Sequence, residues 1–403
     1  MPDKIPVISF SKRLLMGPGP CEVDPRVLRA MGQPTLGHMD PVFLEVLDQL
    51  QDLLRRTFRT RSPITLPIAG TGSAGMEAAL MNVLEPGDEA AVVVGGVFAA
   101  RMCEMVERSG GKLIRVDIPW GTAADPEAVR KAVRGKKLKV LAAVHSETST
   151  GVCQPIQPLR EIANETGALL LVDTVSSLAG LPVEVDGWGI DICYSGSQKC
   201  IACPPGLAPI TFGERAADVL RHRSTPVRSW YLDMSMVEKY WGSERRYHHT
   251  PPVNMLFGLH EALRLVQEEG LESAWERHRR SHLAFVKGIE ALGLRMFVAD
   301  PAVRAATVNT IRIPEGIDDA RVRARLLERF HIEIAGGLAD LKGKIWRVGL
   351  MGLTANSASV LLLLGALESV LAESGYRFDS GSGVAAAERA FSSFSQAALP
   401  QPA

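Results

Sequence analysis

The chain has 403 residues with 46% hydrophobic and 22% charged content, enough for a large core plus a second, smaller domain. Lys plus Arg and Asp plus Glu balance at 45 each, which argues against attachment to nucleic acid or an anionic membrane by charge. No apolar run reaches the roughly 18 residues a spanning helix requires; Met1 to Lys12 holds no leader-like apolar core and Gln401-Pro402-Ala403 is not a peroxisomal tripeptide, so a cytoplasmic location is expected.

Residues 1–25 read as an arm. Gly17-Pro18-Gly19-Pro20 cannot continue a helix or a central strand, so it forms a rigid turn whose backbone, Gly19 included, is open to a ligand or partner subunit. Pro41 to Arg56 has the helical period, with Asp40 as N-cap and Pro41 first. A strand, Ile64 to Ile68, runs into Gly70-Thr71-Gly72-Ser73-Ala74-Gly75 and then a helix, Met76 to Leu84. The glycines match a dinucleotide loop, but the next strand, Ala90 to Val94, ends in Gly95-Gly96-Val97-Phe98 with no acid for a ribose. The loop is therefore expected to hold a phosphate, not a nicotinamide dinucleotide.

From there helices and strands alternate: helix Ala99 to Ser109, strand Lys112 to Asp117, helix Asp125 to Val133, strand Val140 to Val144, helix Leu159 to Thr166, and the apolar strand that closes on Asp173. Alternation of this kind means βαβ units and a mostly parallel sheet, with ligands beyond the C-terminal strand ends. Gly70 to Ser73, Phe98, Thr148, Asp173 and Lys199 all fall at or just past such ends. Ala208 to Phe212 is another strand, 221–252 is expected to be irregular, and Asn254 to Glu269 and Ser273 to Leu292 are helices, the second a domain hinge. The expected division is a large domain over 26–272 and a small one over 273–378, the latter with strands Thr307 to Ile313 and Ile345 to Val348 and helices Asp319 to Phe330 and Ser357 to Glu373. The Ser-, Ala- and Gly-rich segment 379–403 is expected to be a disordered tail.

Six cysteines in a chain this long do not predict a disulfide framework. Cys200 and Cys203 form a lone CxxC beside Lys199; without a second pair it is weak for zinc, and a redox dithiol or plain packing thiols both remain open.

Lys199 and Asp173 can each be read blandly, as a surface lysine and a helix N-cap. Together with their neighbours they meet the needs of pyridoxal phosphate. Gly72 and Ser73 amides and the Thr71 hydroxyl suit the phosphate; Phe98 and Val175 suit the two ring faces. Asp173 suits the ring nitrogen, Thr148 the phenolic oxygen, and Lys199 the aldehyde and the α-proton. Arg347, inside an apolar strand, suits the carboxylate of an amino-acid substrate.

The chain resembles the class V, fold-type I aminotransferases of the alanine–glyoxylate and serine–glyoxylate group over about residues 10–376. The resemblance rests on Leu15-Met16-Gly17-Pro18-Gly19-Pro20, Gly70-Thr71-Gly72-Ser73, Glu147-Thr148-Ser149-Thr150-Gly151, Val172-Asp173-Thr174-Val175-Ser176-Ser177, Ser195-Gly196-Ser197-Gln198-Lys199, Tyr247-His248-His249-Thr250 and Arg347-Val348-Gly349. It implies an α/β large domain, with a mostly parallel seven-stranded sheet between helices, and a smaller C-terminal α+β domain. It also implies that Lys199 forms the Schiff base, Asp173 holds the ring nitrogen and Arg347 the substrate carboxylate, with Gly19 beside it. Gln198 would join the phosphate site, and Tyr247 and Thr250 would reach the phosphate of the other subunit in a homodimer with shared sites. The substrates implied are a small amino acid, alanine or serine, and a 2-oxo acid, glyoxylate. Some relatives stack tryptophan where Phe98 stands. A cysteine desulfurase would need a nucleophilic cysteine in the second domain, and none follows Cys203. A ureidoglycine–glyoxylate aminotransferase is a nearer alternative, but that branch typically has asparagine where Tyr247 stands. A non-catalytic cofactor-binding protein would not be expected to keep Lys199, Asp173 and Arg347 together.

Overall fold

The computed structural model describes residue 8 and residues 11–397. Seven strands form the central sheet in the order Ile64–Ala69, Leu207–Phe212, Ile192–Tyr194, Leu169–Asp173, Leu138–Val144, Glu89–Val94, Lys112–Asp117. Leu207–Phe212 runs antiparallel to both its neighbours, and the other pairings are parallel. The middle strands are apolar but for Lys139 and the closing Asp173, because helices cover both faces of a parallel sheet: Leu138–Val144 and Leu169–Asp173 are almost wholly buried. This is the fold-type I architecture.

Helix Leu271–Ala291 starts in one hydrophobic core and ends in another. Leu271 belongs to the core of the large sheet, whereas Ala284, Phe285 and Ile289 belong to a second core with Trp346, Leu364 and Leu367. That second core backs a four-stranded antiparallel sheet in the order Arg295–Met296, Val308–Arg312, Ile345–Gly349, Ala335–Gly336. The arm ties the two halves together. Leu14–Leu15 pairs with Ile332–Glu333, Gly349 donates to Met16 at 2.8 Å, and Cys21 donates its amide to the Gln198 carbonyl at 3.1 Å.

Three expectations need correction. Residues 221–252 are not irregular throughout, since a helix, Met234–Trp241, lies within them, capped by Asp233 and burying Val237, Tyr240 and Trp241. The glycine loop is shorter than expected, because the helix after it begins at Gly72, not Met76. Gly75 is already in its first turn, where a Cβ would stand 3.0 Å from Ala208 Cβ. The glycines thus permit close packing of a helix on the sheet as well as a turn.

The third correction concerns the tail. Residues 379–397 are not a disordered segment: Ser382–Ala397 is a helix docked on the second core. Ala387 is fully buried, and Val384, Ala390 and Phe391 pack against the same core. The buried Glu368 carboxylate receives the amides of Gly381, Gly383 and Val384 at 2.7, 3.0 and 3.2 Å, an anion at a helix N-terminus. Low hydropathy misled here because alanine, the best helix former, buries by letting backbones approach closely. The remainder of the expected tail, 398–403, lies outside the described residues.

Candidate active site

Five strands of the sheet end towards one region, and Asp173, Lys199, Gly19 and Arg347 are near neighbours there. Asp173 closes its strand in parallel register with Tyr194 on the next, so the two side chains share a face. The Tyr194 hydroxyl donates to Asp173 Oδ2 at 2.6 Å, and the Val175 amide donates to Oδ1 at 2.7 Å. Burial still pushes the Asp173 carboxyl up, to about 6, against the pull of both donors.

Lys199 follows a turn after Ile192–Tyr194 and is buried, with Nζ donating to the carbonyl of Pro18 in the arm. Burial, helped by the Arg347 charge and opposed by Asp173, lowers its amine to about 8. Gly19 (φ 95°) closes over it: a Cβ there would stand 2.5 Å from Lys199 Cδ. Glycine is needed at this position both for the left-handed backbone and for the lysine.

Arg347 lies in the small sheet opposite Thr310 and Ala335. Its Nε donates to the Gly336 carbonyl at 2.8 Å and its Nη1 to the Thr148 carbonyl at 3.2 Å. Both partners are neutral, and burial lowers the guanidinium to about 10. The rest of the fork remains available to a carboxylate.

The loop 145–151 carries an unforeseen anchor. Helix Val97–Arg108 has Gly96 as N-cap, which offers no side chain. Its first amides go to the loop instead: Val97 to Ser149 Oγ at 2.9 Å, and Phe98 and Ala99 to the Glu147 carboxylate at 3.3 and 3.2 Å. Ser149 adds its own amide and hydroxyl to Glu147 at 3.1 and 2.5 Å. Burial pushes the Glu147 carboxyl up, and these donors hold it down. Gly96 leaves the room required, since a Cβ would stand 2.5 Å from Glu147 Cγ. Glu147 and Tyr194 are thus two site residues that sequence reasoning passed over. Glu147 opens a recognisable motif and Tyr194 directly precedes one, but their partners lie tens of residues away or on the next strand.

Phe98 is half-buried, with the Arg101 guanidinium 4.9 Å from its ring centre. The Thr148 hydroxyl is bonded to that of Ser176. Thr71 is N-cap of helix Gly72–Met81 without capping it by its side chain, and no acid stands in the first turn. Gly72 lies against Val175, whose Cγ2 would be 3.1 Å from a Cβ there. Gln198 Oε1 is buried and has no partner among the described residues. Cys200 and Cys203 are buried free thiols, with burial pushing Cys203 up to about 12. Tyr247 is about half exposed and its hydroxyl lies 3.2 Å from that of Thr250.

The family model for aminotransferase class-V matches residues 28–346. The chain is a class-V aminotransferase. Arg347 falls one position beyond the matched span and Gly19 before it.

This aminotransferase is 40% identical over 393 residues to the (S)-ureidoglycine–glyoxylate transaminase of Bacillus subtilis, covering 93% of this chain and 94% of the relative. It is 41% identical over 368 residues to the alanine–glyoxylate aminotransferase of Callithrix jacchus, covering 90% and 89%. Among solved structures, the ureidoglycine–glyoxylate aminotransferase of Bacillus subtilis superposes with a TM-score of 0.93 at 41% identity, over 96% of this chain and 99% of that one.

The cofactor of this aminotransferase is pyridoxal phosphate. The residues present fit it. A buried Asp173 pushed up by desolvation calls for a cation, which a protonated ring provides. The Thr71 hydroxyl, which does not cap its own helix, and the acid-free helix start at Gly72 suit a phosphate.

Proposed function

We propose that this transaminase moves an amino group from a small amino acid, alanine or serine, to glyoxylate. The observation that carries the reading is the meeting of Lys199, Asp173 and Arg347, drawn from a turn, a sheet strand and the small domain, closely enough that each of the other two shifts the Lys199 amine. Bound pyridoxal phosphate supplies an aldehyde for an amine and a protonated ring that withdraws electrons from the substrate Cα.

The protein's part is binding, orientation and proton movement. Thr71, Gly72, Ser73 and Gln198 would hold the phosphate. Phe98 and Val175 would bracket the ring, with Thr148 at its phenolic oxygen and Asp173 as the anion at its nitrogen. Arg347, beside Gly19, would clamp the α-carboxylate and fix which bond at Cα stands across the ring. Lys199 Nζ, with a lowered proton affinity, would take the proton from Cα and return it to the carbon where the new amine forms.

A homodimer with shared sites is part of the proposal. Support comes from an exposed aromatic surface around Tyr247: Trp230 stacks on His248 at 4.1 Å, Tyr231 meets His249 at 4.6 Å and Tyr247 meets His38 at 4.9 Å. In that arrangement Tyr247 and Thr250 would reach the partner's phosphate. Mixing K199A with the double variant Y247A/T250A under subunit exchange should restore activity; no recovery after verified exchange would refute sharing. A cytoplasmic location fits the six free thiols.

The function itself is tested with alanine, serine and (S)-ureidoglycine as donors against glyoxylate and pyruvate, followed by the visible absorbance of the cofactor. Alanine or serine with glyoxylate should be the fastest pair. The second reading, (S)-ureidoglycine as donor, is kept because the Bacillus relative matches 96% of this chain, and it wins if that donor is fastest. Inertness to all donors would reject both.

A further inference from the structure

Tyr194 is fully buried, and its hydroxyl bonds Asp173 Oδ2 at 2.6 Å. Its ring is held between the strand carrying it and the helix Gly72–Met81, where a Cβ on Gly75 would stand 3.4 Å from Tyr194 Cβ and Cδ2. The hydroxyl therefore has little freedom to turn away. The Val175 amide fixes the other oxygen, Oδ1, at 2.7 Å. Two donors from different elements thus set the carboxylate plane. Each carboxylate oxygen has two acceptor sites and one donor here, so each keeps room for one more donor.

We propose that Tyr194 is a positioning residue for Asp173, fixing the plane of its carboxylate and keeping it charged for the ring nitrogen. The inference rests on the reading that Asp173 faces that nitrogen. A phenylalanine would satisfy the packing of Tyr194 equally well, and a buried hydroxyl with no partner would be costly. The hydroxyl is matched to the charged carboxylate, because a hydrogen bond to a charged group is stronger than one to a neutral group. The other ionisable groups facing Asp173 are Glu147, which opposes its charge, and Lys199, which favours it; Cys193, on the strand beside it, is a neutral thiol pushed up by burial.

Removing the hydroxyl should let Asp173 take up a proton at higher pH. In the Y194F holoenzyme the acid limb of kcat/KM should move upward by about one pH unit. Independently of turnover, the pyridoxal phosphate dissociation constant should rise about tenfold near pH 6 and much less near pH 8.5. An acid limb and cofactor affinity both unchanged across that range would overturn the proposal and leave Tyr194 a packing residue. If Y194F fails to fold, wild-type protein grown on 3-fluorotyrosine, with its more acidic hydroxyl, should move the acid limb downward; an unmoved or raised limb would overturn the proposal. D173N separates the two levels. Near-normal activity in D173N would refute the placing of Asp173 at the ring nitrogen. An inactive D173N with an unmoved pH profile in Y194F refutes only the role given to Tyr194.

Discussion

Arg347 donates to the main-chain carbonyl of Thr148 at 3.2 Å, which ties the small sheet to the loop that also carries Glu147. The guanidinium proposed to clamp the substrate carboxylate is thereby registered against the large domain. R347K keeps the charge but loses the planar fork, so it should lose both this tie and bidentate binding. KM for alanine should rise by about tenfold to a hundredfold, as expected for a lost charge-assisted hydrogen bond. Amines lacking a carboxylate should react almost as before, and equal losses for both would remove Arg347 from the clamp.

Lys199 sets a pH dependence that needs no substrate. Only the neutral amine attacks an aldehyde, and burial lowers this amine to about 8. The initial rate at which apoprotein captures pyridoxal phosphate should climb about tenfold per pH unit below that value and level off above it. An ordinary exposed lysine would keep climbing towards about pH 10. K199A should abolish turnover while leaving cofactor binding detectable by fluorescence.

Glu147 anchors the helix that presents Phe98. E147Q exchanges one acceptor oxygen for an amide donor facing the Phe98 or Ala99 N–H, so a buried pair of donors is left opposed. The expected cost is roughly 2–4 kcal/mol in denaturant unfolding of the apoprotein. Cofactor affinity should fall with it if Phe98 plates the ring as proposed, because Phe98 loses its fixed position. Wild-type stability in E147Q would show that the carboxylate is dispensable to the helix.

Removing 380–403 should destabilise the protein, since it uncovers the core against which Ala387, Val384 and Phe391 pack. It also strips the amide partners from the buried Glu368 carboxylate. Burial of this kind contributes roughly 1.5–3 kcal/mol per large side chain, so the melting temperature should fall by several degrees. E368A in the full-length chain should give part of the same loss. An unchanged melting temperature after truncation would mean that the helix contributes no net stability.

Much of the architecture was legible without coordinates. Helix Asp319–Phe330, helix Ser357–Glu373 and strand Lys112–Asp117 fall where their periodicity and caps predict. Local rules suffice for such elements: Asp40 caps a helix opened by Pro41, and strands buried on both faces are simply apolar. Alternating strands and helices then put the candidate residues at the C-terminal strand ends, because a parallel sheet has few other places to expose polar side chains. What sequence could not supply were pairings whose partners are distant in the chain. Glu147 is an ordinary acid in a polar loop until its carboxylate meets the amides of Phe98 and Ala99. Tyr194 is an ordinary strand aromatic until the parallel register sets it beside Asp173. Ser382–Ala397 looks unable to order itself until helix Leu271–Ala291 and Glu368 give its small apolar face and its first amides something to meet. Propensity and period are written in neighbouring residues, whereas the satisfaction of a buried charge or a helix end depends on which remote donors the packed fold delivers.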